Sequence, residues 1–451
     1  MLVTVIGTGH IGVTHAVCMA ELGHDVLAMD VDEAMIAKVA RGEVPFFEPG
    51  LEPILRKNLR DGRIRFTTSY REAADFGNVH FLCVGTPQTV GGAADLSYIC
   101  AALRGLAAHL KSRCLIVGRS TVPVGTARML LARARDLAPA GERVDLAWNP
   151  EFLREGFAVH DSLQPDRLVF GVTCDSATRT LEQVYAKLLQ RDVPGLFIDL
   201  ETAELIKMSA NAFLATRISF INAMAEVCDA VGADVTQLVR ALSHDERIGG
   251  RYLSPGLGFG GSCLPKDIRA FQAKATSLGL GSVVDLLRSV DAINMARRAT
   301  VMDLATRALG GSLAGQRVAV LGVAFKPDSD DVRDSPALDI CGRLELAGAT
   351  VSVHDPAAMP NAAQVHPHLR YAQSVSEAAE GAHLVMHLTE WPDYQAIDPV
   401  ALGKVVASRV LIDARCALDM PVWQAASWTV HVLGRQRAAR TALGRQLADP
   451  A

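Results

Sequence analysis

A glycine-rich stretch with a single cysteine is the part of this sequence best suited to covalent chemistry. Residues 258–267 read GFGGSCLPKD, so Cys263 follows three glycines and precedes Lys266 and Asp267. Glycine allows the backbone to approach a ligand closely, and a neighbouring cation favours the thiolate form of a cysteine. The pattern therefore predicts a nucleophile, although a cysteine taken alone is more often a small buried apolar residue.

Two further groups of residues could supply acid–base chemistry. Glu151 and Glu155 both lie in the segment 149–156, which reads NPEFLREG and follows a strand-like run. Lys207 and Asn211 are four residues apart, so they share one face of a predicted helix. Carboxylates can transfer protons and a lysine can stabilise an oxyanion. Each pair taken alone is also compatible with an ordinary solvated surface.

The N-terminal segment has the pattern of a dinucleotide site. A strand-like run leads into GTGHIG at 7–12, a helical run follows, and Asp30 closes the next strand-like run, 18 residues after the motif. In this context Gly7 makes the tight turn, Gly9 admits a pyrophosphate, and Gly12 lets the helix pack against the strand. The segment therefore predicts binding of a dinucleotide at the start of the first helix.

Asp30 also indicates which dinucleotide is bound. A carboxylate there accepts hydrogen bonds from ribose hydroxyls and repels a 2′-phosphate, which favours NAD over NADP. Lys38 and Arg41 lie nearby in the sequence and weaken this preference. Two later strand ends, VGTP at 84–87 and STVPVGT at 120–126, place hydroxyl groups where α/β sheets bind ligands. Plain turn chemistry is the alternative explanation for each segment taken alone.

Strand-like and helix-like runs alternate in a way that predicts the fold. Short β-branched runs alternate with helical stretches through 1–200, the segment 201–309 is helical, and strands return in 310–451. We predict an α/β protein with two Rossmann-like doubly wound domains joined by a long central helical segment. Both α/β halves carry an aspartate at the end of their second strand, Asp30 and Asp355, which indicates a coarse internal repeat.

The composition is that of an ordinary globular protein of several domains. The 451 residues carry a net charge of −4, and 49% of them are hydrophobic. We expect no membrane span, no signal peptide and no nucleic-acid partner. The nine cysteines are scattered without C-x-x-C spacing, which predicts reduced thiols, a cytoplasmic location and no metal site. The polar tail is expected to be solvated at its four arginines, Arg435, Arg437, Arg440 and Arg445.

Seven motifs in order identify the chain as similar to the nucleotide-sugar dehydrogenases, and the resemblance covers essentially the whole chain. They are GTGHIG at 7–12, VGTP at 84–87, STVPVGT at 120–126, NPEFLREG at 149–156, K-x-x-x-N at 207–211, GFGGSCLPKD at 258–267 and GVAFKPDSDDVRDS at 322–335. The resemblance implies a four-electron oxidation of a sugar primary alcohol to a carboxylate, with two NAD+ used in turn. The expected substrate is UDP-glucose, oxidised to UDP-glucuronate, with UDP-N-acetylmannosamine or GDP-mannose as alternatives.

The resemblance also implies roles in the chemistry. The expected catalytic residues are Cys263, Lys207, Asp267, Glu151, Asn211 and Thr121. Cys263 would capture the aldehyde as a thiohemiacetal that is oxidised to a thioester, and Glu151 would activate the water that hydrolyses it. Lys207 and Asp267 would serve in removing the hydroxyl proton. Lys207 and Asn211 would stabilise the oxyanion.

Binding residues follow from the same resemblance. Those expected to contact NAD are Gly7, Gly9, His10, Ile11, Gly12, Asp30, Lys38, Thr86, Pro87, Thr121, Glu155, Lys266 and Arg333. Those expected to contact the UDP-sugar are Glu151, Phe152, Leu153, Arg154, Lys207, Asn211, Arg247, Tyr252, Leu253, Ser254, Gly260, Lys326 and Arg415.

Three of these residues, and Phe157 outside the lists, carry further expectations. Arg247 would reach into a neighbouring subunit's site, which implies a homodimer or a higher oligomer. Lys266 would either contact the cofactor or tune the thiol. His10 stands where the family commonly has tyrosine, and Phe157 stands where smaller residues are usual.

Two other classes of function compete with this interpretation. A two-electron dehydrogenase of the hydroxyacid type also has a Rossmann domain followed by a helical domain, but Cys263 and the second α/β half argue against it. A non-enzymatic nucleotide sensor or scaffold is disfavoured because every expected catalytic position is retained.

Overall fold

The structure, a computed structural model, describes residues 1–435, which divide into two compact units. The first unit comprises Met1–Asn211 and Lys266–Gly281, and the second comprises Ala212–Pro265 and the chain from Ser282 onward. The division into domains 1–200, 201–309 and 310–451 stays a prediction. The expected tail arginines Arg437, Arg440 and Arg445 lie outside the described residues. No helix within 1–435 is both long enough and apolar enough to cross a membrane.

An eight-stranded sheet forms the centre of the first unit. Its strands are β1 (Leu2–Ile6), β2 (Asp25–Met29), β3 (Ile64–Thr67), β4 (Val79–Leu82), β5 (Cys114–Gly118), β6 (Val144–Trp148), β7 (Leu168–Gly171) and β8 (Gly195–Ile198). The strand order is β3-β2-β1-β4-β5-β6-β7-β8. Neighbouring strands are parallel except β6 and β7, which are antiparallel and joined through one residue pair, Trp148 and Gly171.

Helices flank this sheet, as expected for a parallel sheet whose strands are apolar on both faces. They are α1 (His10–Glu21), α2 (Glu33–Ala40), α3 (Leu51–Arg60), α4 (Tyr70–Phe76), α5 (Ser97–Ala107), α6 (Thr126–Leu137), α7 (Ala158–Leu163), α8 (Asp175–Val184) and α9 (Ala186–Leu189). A short 3₁₀ helix, Gly141–Arg143, precedes β6. Every residue of β4 and of β5 is buried.

Four helices follow in the middle of the chain, as the helical pattern predicts. They are α10 (Leu200–Val231), α11 (Val235–Ser243), α12 (Leu264–Ser277) and α13 (Gly281–Ala308). The chain passes from one unit to the other within α10, in the first turn of α12 and at the start of α13.

A six-stranded parallel sheet forms the centre of the second unit. Its strands are β9 (Arg317–Leu321), β10 (Thr350–His354), β11 (Arg370–Tyr371), β12 (Leu384–His387), β13 (Val410–Asp413) and β14 (Thr429–Val432). The flanking helices are α14 (Pro336–Leu346), α15 (Met359–Val365), α16 (Val375–Ala379), α17 (Pro392–Gln395), α18 (Pro399–Leu402) and α19 (Met420–Ala425). The order β11-β10-β9-β12-β13-β14 repeats that of the first six strands of the first unit. The prediction of two Rossmann-like halves is confirmed.

The two aspartates of the internal repeat have equivalent places and unequal surroundings. Asp30 accepts hydrogen bonds from the backbone N–H and the hydroxyl of Thr8, at 2.6 and 3.0 Å, and remains half-buried. Asp355 is fully buried. It accepts hydrogen bonds from five donors: the backbone N–H groups of Val323, Ala324, Ala357 and Ala358 and the indole N–H of Trp391.

Candidate functional site

The glycine turn after β1 has the conformation that a dinucleotide motif requires. Gly7 adopts a φ of +97°, which favours glycine. A side chain at Gly12 would overlap the carbonyl oxygen of Gly7, whereas one at Gly9 would meet no atom within 4 Å. The turn is therefore closed toward the sheet and open at Gly9, beside the start of α1. His10 and Ile11, both half-buried, form the beginning of that helix.

The other residues expected at the cofactor lie on neighbouring loops of the first unit. Lys38 is exposed on α2. Thr86 is buried and donates a hydrogen bond to the carbonyl oxygen of Thr121 at 2.7 Å, which ties together the two loops that follow β4 and β5. Pro87 is exposed beside it. An open Gly9 and a half-buried Asp30 acceptor fit the pyrophosphate and a ribose of NAD.

A carboxylate that the sequence did not reveal connects this turn with the loop after β6. Glu48 is buried and lies 3.0 Å from Nε2 of His10. It also accepts hydrogen bonds from the backbone N–H groups of Gly156 and Ala158, both at 2.8 Å. The ring of His10 packs against Phe46 with centroids 4.3 Å apart. One carboxylate thus holds the glycine turn and the end of the NPEFLREG segment together.

The start of that segment is fixed by buried polar side chains. Asn149 donates a hydrogen bond to the carbonyl oxygen of Val169 at 2.9 Å. Its own side-chain oxygen accepts hydrogen bonds from Arg119 and from the hydroxyl of Tyr185. Because these groups are buried, they fix the direction in which the loop leaves β6.

Glu151 and Lys207 form a buried ion pair. Nζ of Lys207 lies 3.1 Å from Oε1 of Glu151, with side-chain exposures of 5% and 3%. Burial alone would raise the pKa of the Glu151 carboxyl, but the lysine and the backbone N–H of Leu153 hold that pKa below its usual value. Glu151 is therefore ionised at neutral pH and can accept a proton.

A second buried pair lies on the same helix face. Asn211, one turn after Lys207 on α10, donates a hydrogen bond to Oδ2 of Asp267 at 2.6 Å. Lys266 lies 2.6 Å from Oδ1 of the same carboxylate. Asn211 and Asp267 are buried, and Lys266 is partly exposed. The structure therefore gives Lys266 a partner other than the thiol or the cofactor.

The remaining residues of the NPEFLREG segment differ in what they contact. The Phe152 ring lies under the guanidinium of Arg167, 4.0 Å from the ring centroid. Arg154 is exposed and pairs with Asp161 at 2.6 Å. Glu155 is half-buried. Arg154, expected to contact the sugar nucleotide, thus also forms an ion pair within its own loop.

Glu204 is a second carboxylate that the motifs did not reveal. It lies one turn before Lys207 on α10 and is buried. It accepts hydrogen bonds from the backbone N–H groups of Gly125 and Ala127 at 2.7 and 2.6 Å. The three-residue spacing to Lys207 was the available signal, because it places both side chains on one face of the helix.

The cysteine loop, residues 254–263, belongs to the second unit and depends on its glycines. Gly258 and Gly261 adopt φ values of +99° and +85°. A side chain at Gly260 would overlap the backbone carbonyl oxygen of Asp334. Cys263 is half-buried at the end of the loop, with Sγ 3.5 Å from the hydroxyl oxygen of Ser262. Helix α12, which carries Lys266 and Asp267, begins at the next residue.

Buried polar side chains on α10 and α13 hold this loop. Asn294 accepts a hydrogen bond from the backbone N–H of Phe259 at 2.7 Å and donates one to its carbonyl at 3.0 Å. Arg297 donates to the carbonyl of Gly256 at 3.0 Å, and Asn222 accepts from the N–H of the same residue at 2.8 Å. The loop is therefore preorganised rather than solvated.

The residues expected to bind the UDP-sugar occur around the cysteine loop and the second sheet. Leu253 and Gly260 are buried, Ser254 is exposed, and Tyr252 has a left-handed φ of +61°. Nζ of Lys326 lies 5.6 Å from the ring centroid of Phe325.

Three expected binding arginines already have partners. Arg415 donates to the carbonyl oxygens of Leu388 and Phe325 at 2.7 and 3.1 Å, and lies near enough to Gly258 to donate to its carbonyl at 3.4 Å. Arg247 and Arg333 are exposed and pair with aspartates two residues away. Arg415 thus supports the cysteine loop, whereas the other two project from the surface.

Taken together, the structure brings Glu151, Lys207, Asn211 and Asp267 together in the first unit, while Cys263 belongs to the second. Within residues 1–435, no group of three or more histidine, cysteine, aspartate or glutamate side chains could hold a metal ion.

Comparison with protein families matches three successive segments of the chain. Residues 1–189 match the NAD binding domain of the UDP-glucose/GDP-mannose dehydrogenase family, residues 201–296 match its central domain, and residues 319–420 match its UDP binding domain. The NAD prediction is confirmed by the first of these matches.

Individual relatives agree with this result over nearly the full length. The chain is 38% identical to a UDP-glucose 6-dehydrogenase of Bacillus subtilis, covering 96% of this chain and 93% of the relative. It is 40% identical to a UDP-glucose 6-dehydrogenase of Rhizobium meliloti, covering 92% and 95%. A solved UDP-glucose dehydrogenase from Pyrobaculum islandicum superimposes with a TM-score of 0.89 at 36% identity, covering 97% and 98%. A UDP-D-ManNAc dehydrogenase from Pyrococcus horikoshii superimposes at 0.85 with 26% identity, covering 97% and 100%.

Proposed function

This chain belongs to the UDP-glucose/GDP-mannose dehydrogenase family, and we propose that it oxidises C6 of UDP-glucose to the carboxylate of UDP-glucuronate. The observation that carries the proposal is the buried pair of Glu151 and Lys207, one helical turn from Asn211 and its partner Asp267. Such a group supplies an ionised base, a cation and an amide in one place, as the oxidation of an alcohol requires.

The choice of sugar rests on the relatives. Those that are 38% and 40% identical to this chain are UDP-glucose 6-dehydrogenases, whereas the UDP-D-ManNAc dehydrogenase structure shares 26%. UDP-glucose is therefore the proposed substrate, and UDP-N-acetylmannosamine and GDP-mannose are the substrates to compare with it.

The glycine turn and Asp30 would hold the cofactor. Gly9 leaves room beside the N–H groups of α1, and the half-buried carboxylate of Asp30 suits ribose hydroxyls. Thr86, Thr121 and Pro87 lie on the adjoining loops. When bound, NAD+ supplies the hydride acceptor, and the conversion of one alcohol to one carboxylate uses two of them and one water.

The first task of the protein side chains is to remove the hydroxyl proton. Lys207 would stabilise the oxygen as negative charge develops there, together with the amide of Asn211. Asp267, held by Asn211 and Lys266, would keep this amide oriented or receive the proton through water. The hydroxyl proton leaves and the carbon loses a hydride, so that an aldehyde forms.

Cys263 would then capture the aldehyde. Its sulfur bonds to the aldehyde carbon and the proton passes to the oxygen, which gives a thiohemiacetal. Loss of a second hydride from that carbon and of the hydroxyl proton leaves a thioester. The loop that Asn294 and Arg297 hold would keep the sulfur in place during both steps.

Glu151 would complete the reaction. Its lowered pKa keeps the carboxylate ionised, so it can take a proton from the water that attacks the thioester carbon. The carbon–sulfur bond breaks, the thiolate of Cys263 recovers a proton, and the acid is released.

The UDP-sugar would be held mainly by the second unit. We propose that Lys326 and Arg415 face the diphosphate and sugar, and that Tyr252, Leu253, Ser254 and Gly260 surround the sugar and uracil. On the first unit, Phe152, Leu153 and Arg154 would contact the sugar beside Glu151. Glu155 and Arg333 would contact the cofactor.

A homodimer or higher oligomer is part of the proposal. Phe213, Phe220 and Val227 lie at seven-residue intervals on α10, and each is at least half exposed. Such spacing gives an apolar stripe along one face, typical of helices that pair. Arg247, exposed on the loop after α11, would then reach the neighbouring subunit's site. Light scattering should show a dimer or larger assembly, and Phe220→Glu should dissociate it.

We also propose a cytoplasmic location, because all nine cysteines are free.

A steady-state assay with UDP-glucose and NAD+ tests the function. The expected yield is two NADH per sugar, and one NADH per sugar would instead indicate a two-electron dehydrogenase. Comparison of kcat/KM for the three nucleotide sugars decides the substrate, and a preference for the acetamido sugar or GDP-mannose would overturn UDP-glucose.

A further inference from the structure

Glu204 joins two parts of the first unit that the proposed mechanism uses. Its Oε2 accepts a hydrogen bond from the backbone N–H of Gly125 at 2.7 Å, and its Oε1 accepts one from Ala127 at 2.6 Å. Both donors lie at the start of α6, where helix N–H groups have no partner within the helix. Lys207 and Asn211 follow Glu204 on α10, one and two helical turns further along.

The segment held by Glu204 is the STVPVGT motif, which contains Thr121. Ser120 donates a hydrogen bond to the carbonyl of Val84 at 2.6 Å, and the carbonyl of Thr121 accepts one from Thr86 at 2.7 Å. These bonds attach the beginning of the motif to the loop after β4. Glu204 attaches its end to α10.

The surroundings of Glu204 contain charges of both signs. On α10 itself, Glu201 repels its negative charge, and Lys274 of α12 attracts it. Arg128 of α6 interacts with Glu204 and forms an ion pair with Glu201 at 2.6 Å. Arg128 and Glu201 are well exposed, so water screens them, whereas the side chain of Glu204 is buried.

We propose that Glu204 is a positioning residue, whose charged carboxylate fastens the Thr121 segment to the helix of Lys207 and Asn211. The inference rests on the proposed function, since Thr121 is itself assigned there. Both carboxylate oxygens are used as acceptors. A proton on either oxygen would turn it into a donor that faces an N–H group, so one of the two bonds would be lost.

Protonation of Glu204 falls within the range in which the enzyme can be assayed. Burial raises the pKa of this carboxyl to about 7, although the N–H groups of Ala127 and Gly125 act in the opposite direction. Glu151, by contrast, has a lowered pKa. Above about pH 7 the charged Glu204 should hold the Thr121 segment, and below it the protonated form should lose one of the two hydrogen bonds. The pH profile of kcat should therefore show a decrease on its acid side, here called the acid limb.

The first test compares pH profiles of kcat for wild type, Glu204→Gln and Glu201→Gln. Wild type should lose about fivefold in kcat as pH falls through the midpoint, the factor corresponding to one ordinary hydrogen bond. Glu204→Gln, which cannot be charged, should stay at the lower value throughout and lack the limb. Glu201→Gln, altered at the exposed neighbour on the same helix, should keep the limb. Persistence of the limb in Glu204→Gln would overturn the inference.

The second test needs neither a variant nor activity. Hydrogen exchange followed by mass spectrometry on the wild-type protein, corrected for the intrinsic pH dependence, reports on the peptide with Gly125 and Ala127. Its protection should be about fivefold lower at about pH 6 than at about pH 8. Equal protection at both values would overturn the inference even if Glu204→Gln fails to fold. Absence of NADH production from UDP-glucose would count against the proposed function, while the exchange result would still decide the role of Glu204.

Discussion

Replacing Lys207 with methionine is expected to lower the free energy of unfolding by about 3–5 kcal/mol at about pH 8, the cost of leaving a buried charge without its partner. Nζ of Lys207 lies 3.1 Å from Glu151, and neither side chain is more than 5% exposed. Methionine fills a similar volume, so the loss would report on charge rather than on a cavity. The buried carboxylate would keep the N–H of Leu153 but would lose its cation.

The loss should depend on pH, with opposite trends in the two proteins. In wild type, burial acts to raise the pKa of Glu151, but Lys207 holds it below the usual value. This carboxylate therefore contributes stability above its unfolded pKa, and the contribution is lost as pH falls through the folded pKa. In Lys207→Met, burial raises the pKa without opposition from the lysine. The deficit should then shrink as pH falls and the carboxyl takes up a proton.

Urea unfolding followed by circular dichroism at about pH 8 and about pH 5.5 measures the deficit of Lys207→Met and its decrease with falling pH. In this range the contribution of Glu151 in wild type stays constant, because its pKa lies below the range in both the folded and the unfolded protein. Lys57→Met is the matched control in the same unit, because Lys57 pairs with Glu21 at 2.7 Å with exposures of 53% and 27%. Because water screens this exposed pair, Lys57→Met should change the unfolding midpoint far less than Lys207→Met. The double variant Glu151→Gln with Lys207→Met should recover much of the stability but no activity. Equal losses for Lys207→Met and Lys57→Met would refute the reasoning.

Three further substitutions have definite expected outcomes. Gly260→Ala should lower the free energy of unfolding in urea by about 1–3 kcal/mol and remove most of the activity, because the added Cβ would overlap the carbonyl oxygen of Asp334. Gly281→Ala is the control and should be nearly neutral, because a Cβ there meets nothing within 4 Å. Cys263→Ser should form no UDP-glucuronate while its NAD affinity, measured by calorimetry, stays unchanged; full turnover would show that the thiol is not the nucleophile. Asp30→Asn should weaken NAD binding about tenfold by calorimetry, because a charged acceptor is lost, and unchanged affinity would remove Asp30 from the ribose site.

The sheets were predictable from the sequence because most strands are continuous apolar runs. β4 and β5 are buried along their whole length, so their sequences are apolar without alternation. β3 is not recognisable as an apolar run, since within Ile64–Thr67 only the two end residues are buried and Arg65 is exposed. The antiparallel pairing of β6 with β7 through Trp148 and Gly171 is not predictable either, because strand direction leaves no mark on a four-residue run.

The site was predictable in its local spacings and not in its long-range partners. The four-residue interval of Lys207 and Asn211 placed both on one face of α10, as the structure shows. The roles of Glu151 and Asp267 came from family resemblance, because Asp267 is 56 residues away from Asn211 and no spacing rule connects them. Glu48 was not foreseen at all, since its contacts with the loop after β6 span more than a hundred residues.

The surroundings of Asp355 show how two halves with the same fold can differ in the ligand they bind. Its counterpart Asp30 is half-buried and accepts from three donors, the N–H and hydroxyl of Thr8 and the N–H of Asp32. Asp355 is fully buried and accepts from five donors, Trp391 among them. The second half can therefore not compete for the dinucleotide through this acid. A redesign that gave the second half a dinucleotide site would first have to remove the donors that now surround Asp355.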